Sequence, residues 1–432
     1  MREADPLAEI MTYLNLGDLP GAEAACKQAL SQYPDNPRGW HLSGIVQAQQ
    51  GRYEQAVECF QQAICLSPSQ ALYPFNLALA CMALERTDEA IAAYRTAVEL
   101  KPDFLEARNN LANALQREGN SEAAVTAFEE LVARFPENAN SHFNLANLLQ
   151  DTGKFEPAVE HYLKTIQLDP NHSAARENLG RAYTDEGLLT AALEVWQTWL
   201  AHEPDNAVAK HMVASATGQT PPPRCDDDYV RETFNQDFAK NFDRQLARLN
   251  YQAPQLVSQA LATAAPQQIH ADLLDAGCGT GLCGPLVRDQ AKRLTGVDLS
   301  ADMLAQARKR NVYDELVEEE LTLYLRQHQQ AFDAILCADT LCYFGDLHDV
   351  LAAAGQSIRD QGWLVFTVEH ASDTPDSGFQ LKPHGRFCHT REYVQAVLQT
   401  TGFTVQDVLQ TTLRKERGCP VVGLVFTAAR SA

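Results

Sequence analysis

The run DLLDAGCGTG (residues 272–281) sets an apolar strand pattern directly before three alternating glycines. Alternating glycines remove side chains where a ligand must lie against the backbone, and they permit tight turns at positive φ. A helical pattern starts near Leu282. The next apolar run, LTGVDL (294–299), ends on Asp298, 17 residues after Gly281, where a carboxylate can accept bonds from both hydroxyls of a ribose. A dinucleotide-binding loop would read G-x-G-x-x-G. Here position 282 is leucine and the third glycine comes one residue early, which counts against a nicotinamide dinucleotide.

Outward from this loop, strand-like runs alternate with helical patterns: AFDAILCAD (331–339) and GWLVFTVEH (362–370), then FTVQDVL and VVGLVFTA. Such alternation predicts a parallel sheet covered by helices, with the last two runs as an antiparallel edge pair. Upstream, TGQTPPPRCDDD (217–228) combines proline, glycine and like charge and reads as a linker. Phe234, Phe238 and Phe242 follow at helical spacing, either as core or as a helix lying over a ligand site.

The first half carries a fixed period. Pro34, Pro68, Pro102, Pro136, Pro170 and Pro204 stand 34 residues apart, and an alanine precedes each by twelve: Ala22, Ala56, Ala90, Ala124, Ala158, Ala192. Gly17, Gly51, Gly119, Gly153 and Gly187 hold a third phase, with Glu85 the exception. Phe60, Tyr94, Phe128, Tyr162 and Trp196 hold a fourth. Each unit reads as two short helices: glycine closes the first, proline stops the second, and the aromatic fills the wedge. One unit cannot bury its apolar face alone, so neighbours stack into a superhelix. The pattern resembles the tetratricopeptide repeat over about residues 3–206, with 207–216 as a cap helix. Asn76, Asn110, Asn144 and Asn178 recur in one phase. They form either a ladder that holds an extended peptide in a partner groove, as in some arrays of this family, or local backbone bonds.

Composition narrows the partners. The chain of 432 residues holds 35 Lys+Arg against 56 Asp+Glu, a formal charge of −21, which excludes the basic stripe that nucleic acid or an anionic membrane surface requires. Residues 1–217 carry 15 of the cations and 29 of the acids. A basic protein or peptide segment is the expected partner of that half, although solvated outer faces account for many of the acids. The start, MREADPLAEIMTYLNLGDL, lacks the uninterrupted apolar run of an export signal. Cys59, Cys65, Cys81, Cys337 and Cys342 lie in apolar runs without a C-x-x-C pair, as reduced core thiols of a cytoplasmic protein would. No metal-ligand spacing occurs, and the oligomeric state is left open.

Residues 229–432 resemble the class I S-adenosylmethionine-dependent methyltransferases. In FNQDFAKNFD, LTGVDLSADML, FDAILCADTLCYFGDL and GRFCH they are similar to predicted methyltransferases that carry tetratricopeptide repeats. The resemblance implies an all-α superhelix at 3–216, a linker at 217–228 and an α/β Rossmann-like domain at 229–432. It implies S-adenosylmethionine held by Asp275 at the methionyl amine, by Gly277, Cys278, Gly279 and Gly281 along the loop, and by Asp298 and Leu299 at the ribose. Met303 would pack on adenine, and Glu320 and Leu321 would meet the adenine edge.

Methyl transfer from a sulfonium needs orientation and desolvation more than a base, unless the nucleophile arrives protonated. Candidate groups at the carboxyl ends of the fourth and fifth strands are Asp339, Tyr343, Glu369 and His370, with Arg386 and His389 in the HGRFCH loop. Asp339, His389 and Tyr343 are the catalytic candidates; Arg386, Glu369 and His370 are the acceptor contacts. Each has a plainer role open to it: Asp339 as a helix cap, Tyr343 as packing, His389 as a hydrogen-bonded loop residue. The expected function is methyl transfer to a protein or peptide that the repeats recruit. The alternatives are a small-molecule enzyme whose repeats oligomerise, and a scaffold whose second domain binds cofactor without turnover.

Overall fold

A computed structural model describes residues 6–217, 221–265, 271–373, 377–416 and 418–431. Residues 3–5 of the first expected repeat and 218–220 of the expected linker lie outside them. The chain forms two compact units, one up to Ala182 and one from Tyr183.

The first unit is helical, and successive helices pack in pairs. Its second helices, Leu19–Gln32, Tyr53–Leu66, Thr87–Leu100, Ser121–Arg134 and Phe155–Leu168, each end two residues before the periodic proline. Proline excludes the helical conformation from its predecessor, so the stop is built into the sequence. The periodic Ala22, Ala56, Ala90, Ala124 and Ala158 are fully buried where a larger side chain would hold the backbones apart. Phe60, Tyr94, Phe128 and Tyr162 fill the wedges, all buried. Gly51, Gly119 and Gly153 close first helices at φ of 76°, 89° and 75°. Glu85, the one non-glycine in that phase, takes the same left-handed conformation at φ 60°.

The second unit begins inside the repeat pattern. Helices Leu189–His202 and Ala207–Thr217 pack Trp196, Trp199, Val208 and Met212 against Cys225, Tyr229, Leu381 and Phe387 in one cluster. His211 Nε2 meets the Gly385 carbonyl at 2.8 Å. The aromatic of the sixth repeat, Trp196, and the cap helix are thus core of the second compact unit.

Among the described residues the sheet of this unit has nine strands: β1 (Ala271–Ala276), β2 (Ala291–Asp298), β3 (Glu315–Glu318), β4 (Phe332–Cys337), β5 (Ile358–His370), β6 (Phe379–Leu381), β7 (Phe387–His389), β8 (Phe403–Glu416) and β9 (Cys419–Arg430). The order runs β3-β2-β1-β4-β5, all parallel, with β9 antiparallel to β5 and β8 antiparallel to β9. The expected edge pair is therefore present. A short β6–β7 hairpin joins the end of β5, and it replaces the loop expected at GRFCH. Apolar residues cover both faces of the sheet. Leu325, Leu351 and Val394 pack on one, Val257, Leu261 and Val287 on the other. Among the described residues no helix is long and apolar enough to cross a membrane. The thiols expected in the core are largely buried, but Cys65 is exposed.

The left-handed Glu85 gives a test of the repeat logic. It is exposed, and its Cβ crowds the following carbonyl at a cost of about 1–2 kcal/mol that glycine escapes, less about 0.5–1 kcal/mol for the freer unfolded glycine. Glu85→Gly should stabilise the chain by about 0.5–1 kcal/mol in denaturant unfolding, whereas Gly153→Glu should destabilise it by a similar amount.

Candidate cofactor and acceptor site

The loop after β1 folds back on β2. Gly277 and Cys278 donate their N–H groups to the Val297 carbonyl at 2.8 and 2.9 Å. Gly277, Gly279 and Gly281 all sit at positive φ. A Cβ at 277 would stand 2.2 Å from Thr340 Oγ1, and one at 281 would stand 2.8 Å from the Tyr313 ring. Asp298 holds the loop in place, accepting from Gly279 N on one oxygen (2.8 Å) and from Ser300 N on the other (2.9 Å). Burial raises its pKa against those backbone bonds.

Asp275 is fully buried and accepts from the Tyr313 hydroxyl on Oδ2 at 2.6 Å. Its Oδ1 is buried with no oxygen or nitrogen donor among the described residues. Burial pushes this carboxyl up to about 6, against the Tyr313 bond. Met303 is buried, and its Cε lies 3.3 Å from where a Gly279 Cβ would be. Leu299 beside Asp298 is half-buried. The Cys278 side chain turns inward, its Sγ 3.0 Å from the position of a Gly296 Cβ.

At the β3 end the geometry departs from expectation. Glu320 caps the helix Leu321–Gln327, taking Leu323 N at 2.8 Å and the Thr322 hydroxyl at 3.0 Å. Both of its oxygens are thereby engaged, and the Leu321 side chain joins the core.

The phenylalanine stripe is a helix over the site. Phe234, Phe238 and Phe242 pack with ring centroids 5.4–6.1 Å apart, and Phe234 meets the Tyr343 ring edge-on at 5.6 Å. The helix Gln236–Arg248 is fastened to the glycine loop by Asp243, which accepts from Thr280 Oγ1 at 2.5 Å and pairs with Arg310. Ser300 Oγ donates to the Phe234 carbonyl at 2.6 Å, tying the same segment to the end of β2.

At the ends of β4 and β5 an arginine that the sequence reading missed, Arg414 of β8, gathers three acids. It donates to Asp339 at 2.6 Å and to Glu416 at 2.8 Å, and it pairs with Glu369. Arg386 adds bonds to Glu369 (2.7 Å) and Glu416 (2.6 Å). The site thus brings Asp339, Glu369 and Arg386 together. Burial works to raise Glu369, but Arg386, Arg414 and His384 outweigh it and hold its carboxyl down to about 2. For Asp339 burial wins over Arg414, and its pKa is raised. Asp339 takes a left-handed conformation at φ 58° and does not cap a helix.

His389 does not belong with these groups. It is fully buried on β7, with Nε2 on the Gly345 carbonyl at 3.0 Å and its ring among Phe379 and Tyr393, and burial lowers its pKa to about 4. A group so enclosed cannot serve an acceptor as base. His370 stands apart from the ion network and lines an open cleft of about 530 Å³ with Glu369, Lys382 and His384. Tyr343 packs against the phenylalanines.

In the first unit the periodic asparagines spend amide groups on their own array. Asn76 Nδ2 meets His41 Nε2 at 2.7 Å, Asn144 donates to Asn109 at 2.9 Å, and Asn178 donates to Asn147 at 2.8 Å. Asn110 bonds Tyr94. The ladder therefore joins repeat to repeat.

Comparison with known proteins agrees with both halves. Residues 242–408 match the family model for a methyltransferase domain, and residues 7–71, 41–104, 103–171 and 143–207 match tetratricopeptide-repeat models. The malonyl-[acyl-carrier protein] O-methyltransferase of Enterobacter lignolyticus is 30% identical over 159 residues, which are 36% of this chain and 62% of that protein. A ubiquinone biosynthesis O-methyltransferase of Hydrogenovibrio crunogenus is 27% identical over 102 residues, 22% of this chain and 42% of that protein. The magnesium protoporphyrin IX methyltransferase of Synechocystis, solved with bound SAH, aligns at 19% identity and a TM-score of 0.39 over 48% of this chain and all of that one. The chain thus spans about 40–60% of the length of these curated relatives.

Proposed function

We propose that this chain, which joins tetratricopeptide repeats to a methyltransferase domain, transfers a methyl group from S-adenosylmethionine to a protein or peptide acceptor that the repeats recruit or orient. The observation that carries the reading is the pair of acids flanking a loop with glycine at every second position. Asp275 keeps a buried oxygen that no nitrogen or oxygen donor among the described residues meets, where an ammonium would sit, and Asp298 stands at the end of β2 beside left-handed glycines. When bound, the cofactor supplies an electrophilic methyl on a sulfonium.

The residues of the chain do the rest. Asp275 would take the methionyl amine and Asp298 the ribose. The backbone of residues 277–281 would lie along the ligand, and Met303 would close on its base. Helix Gln236–Arg248 would exclude water from above through its phenylalanines, with Asp243 as its fastening. Asp339 would meet the acceptor, next to Thr340, which closes on Gly277. The acidic first half suits a basic partner, and repeat surfaces rather than the asparagine amides would bind it.

A second reading, a small acceptor with the repeats serving assembly, draws on the relatives, whose names place them on an acyl-carrier substrate and in ubiquinone biosynthesis. Labelled-methyl transfer into a whole lysate separates the two. Label should enter a protease-sensitive acceptor, and label confined to small molecules would contradict recruitment.

The binding step has its own signature. Asp275 must be ionised to accept an ammonium, and burial holds its pKa up to about 6, so the competent form is lost as pH falls through 6. Affinity for S-adenosylmethionine, measured by calorimetry, should fall about tenfold between pH 7 and pH 5. Asp275→Asn should weaken binding and flatten that dependence.

A further inference from the structure

The acceptor edge holds more negative charge than the cations beside it neutralise. Asp339, Glu369 and Glu416 share two guanidiniums, Arg386 and Arg414. His384 lies 3.7 Å from Glu369, but burial and Arg386 push its pKa down to about 4, so it adds no charge near neutrality. Lys382 faces the cleft but is turned to Asp373 at 3.8 Å. One negative charge is left over.

The surplus has a location. Arg414 commits all three nitrogens, to Asp339, Glu416 and Glu369, and Arg386 commits two of its own. Glu369 and Glu416 receive two arginine bonds apiece, and Asp339 receives one, on Oδ2. Asp339 Oδ1 is buried and has no partner among the described residues. A buried carboxylate oxygen without a donor is costly, and it persists where the surroundings enforce it. Here the left-handed backbone at Asp339 and its N–H bond to Thr367 Oγ1 (2.8 Å) fix the side chain in that position. Thr340, the next residue, hydrogen-bonds the Ala276 carbonyl at the start of the glycine loop, at 3.1 Å. Asp339, one residue from that bond, therefore stands at the seam between the acceptor edge and the loop after β1.

We infer that the atom methylated is a basic nitrogen, entering as an ammonium held by Asp339 Oδ1, and not a carboxylate oxygen. This rests on the methyl-transfer reading above. A carboxylate acceptor would add a second uncompensated negative charge beside Oδ1, where low dielectric magnifies the repulsion and the guanidiniums are already engaged. An ammonium neutralises the surplus and supplies the missing donor. The nitrogen must then lose a proton, and Oδ1 takes it. Its lone pair forms the new nitrogen–carbon bond while the electron pair of the carbon–sulfur bond stays with sulfur. The methylated nitrogen keeps one positive charge, and Asp339 returns its proton to water once the product leaves. The raised pKa of Asp339 suits it to hold that proton.

The test uses the full chain saturated with S-adenosylhomocysteine, whose binding is established first by calorimetry. Two probes of similar shape and opposite charge follow, 2-phenylethylamine and 3-phenylpropanoate. The amine should bind at least about tenfold tighter than the acid. Asp339→Asn should abolish the preference. Glu416→Gln, which removes an equal charge but leaves Oδ1 in place, should lower it by less than Asp339→Asn does. Equal binding, binding of neither probe, a preference for the acid, or equal loss in both variants would overturn the inference. In a parallel assay, label passed from methyl-labelled S-adenosylmethionine to lysate acceptors should survive alkali, whereas alkali-labile methyl esters would contradict it. Failure of S-adenosylhomocysteine to bind would instead count against the methyl-transfer reading itself.

Discussion

At residue 277 there is no room for a side chain. Thr340 comes so close that a Cβ there would overlap its hydroxyl, and the backbone is left-handed. Much of the site follows from that approach. It brings the end of β4 onto the loop after β1, which sets Asp339 beside the surface where a cofactor would lie. Asp298 fixes the far side of the loop through Gly279, and Ser300, held by the same carboxylate, reaches the Phe234 carbonyl. Loop, acid and covering helix are one connected structure, fastened again where Asp243 meets Thr280 and Arg310.

The edge of the sheet poses an electrostatic problem that Arg414 solves in part. Asp339, Glu369 and Glu416 converge from β4, β5 and β8, and three carboxylates at such range would repel one another strongly in a low-dielectric setting. A nearly buried guanidinium placed among them, with Arg386 behind, turns repulsion into a network. The compensation stops one charge short, and, as inferred above for the acceptor edge, this shortfall would favour a cationic acceptor. Most of the surplus acid of the chain lies in its first half.

Much of this was legible in the sequence where the information is local or periodic. Asp275, the glycines and Asp298 are set by spacing within one strand–helix–strand unit. The repeats are set by prolines that stop helices and alanines that admit close approach. Even Glu85, which breaks the pattern in letters, keeps it in conformation. What escaped depends on tertiary pairing. Arg414 lies 75 residues from Asp339 and 45 from Glu369, and only the register of β8 on β9 and β9 on β5 brings them together. Its signal was slight: charges in TTLRKERG within an otherwise strand-like run. The β6–β7 hairpin has three residues a side, too few to show a period, so the enclosure of His389 could not be read. Nor could the packing of Trp196 and Trp199 on Tyr229 and Phe387 within the second compact unit.

The central claim is that the loop between Asp275 and Gly281, with Asp298 and the helix fastened by Asp243, encloses the methyl donor. Hydrogen–deuterium exchange of the full chain with and without S-adenosylhomocysteine tests it most directly, because exchange reports each segment by itself. Added ligand should slow exchange in residues 275–281, 298–303 and 236–248 together. Unchanged exchange in those three segments, or protection confined to other parts of the chain, would contradict the account.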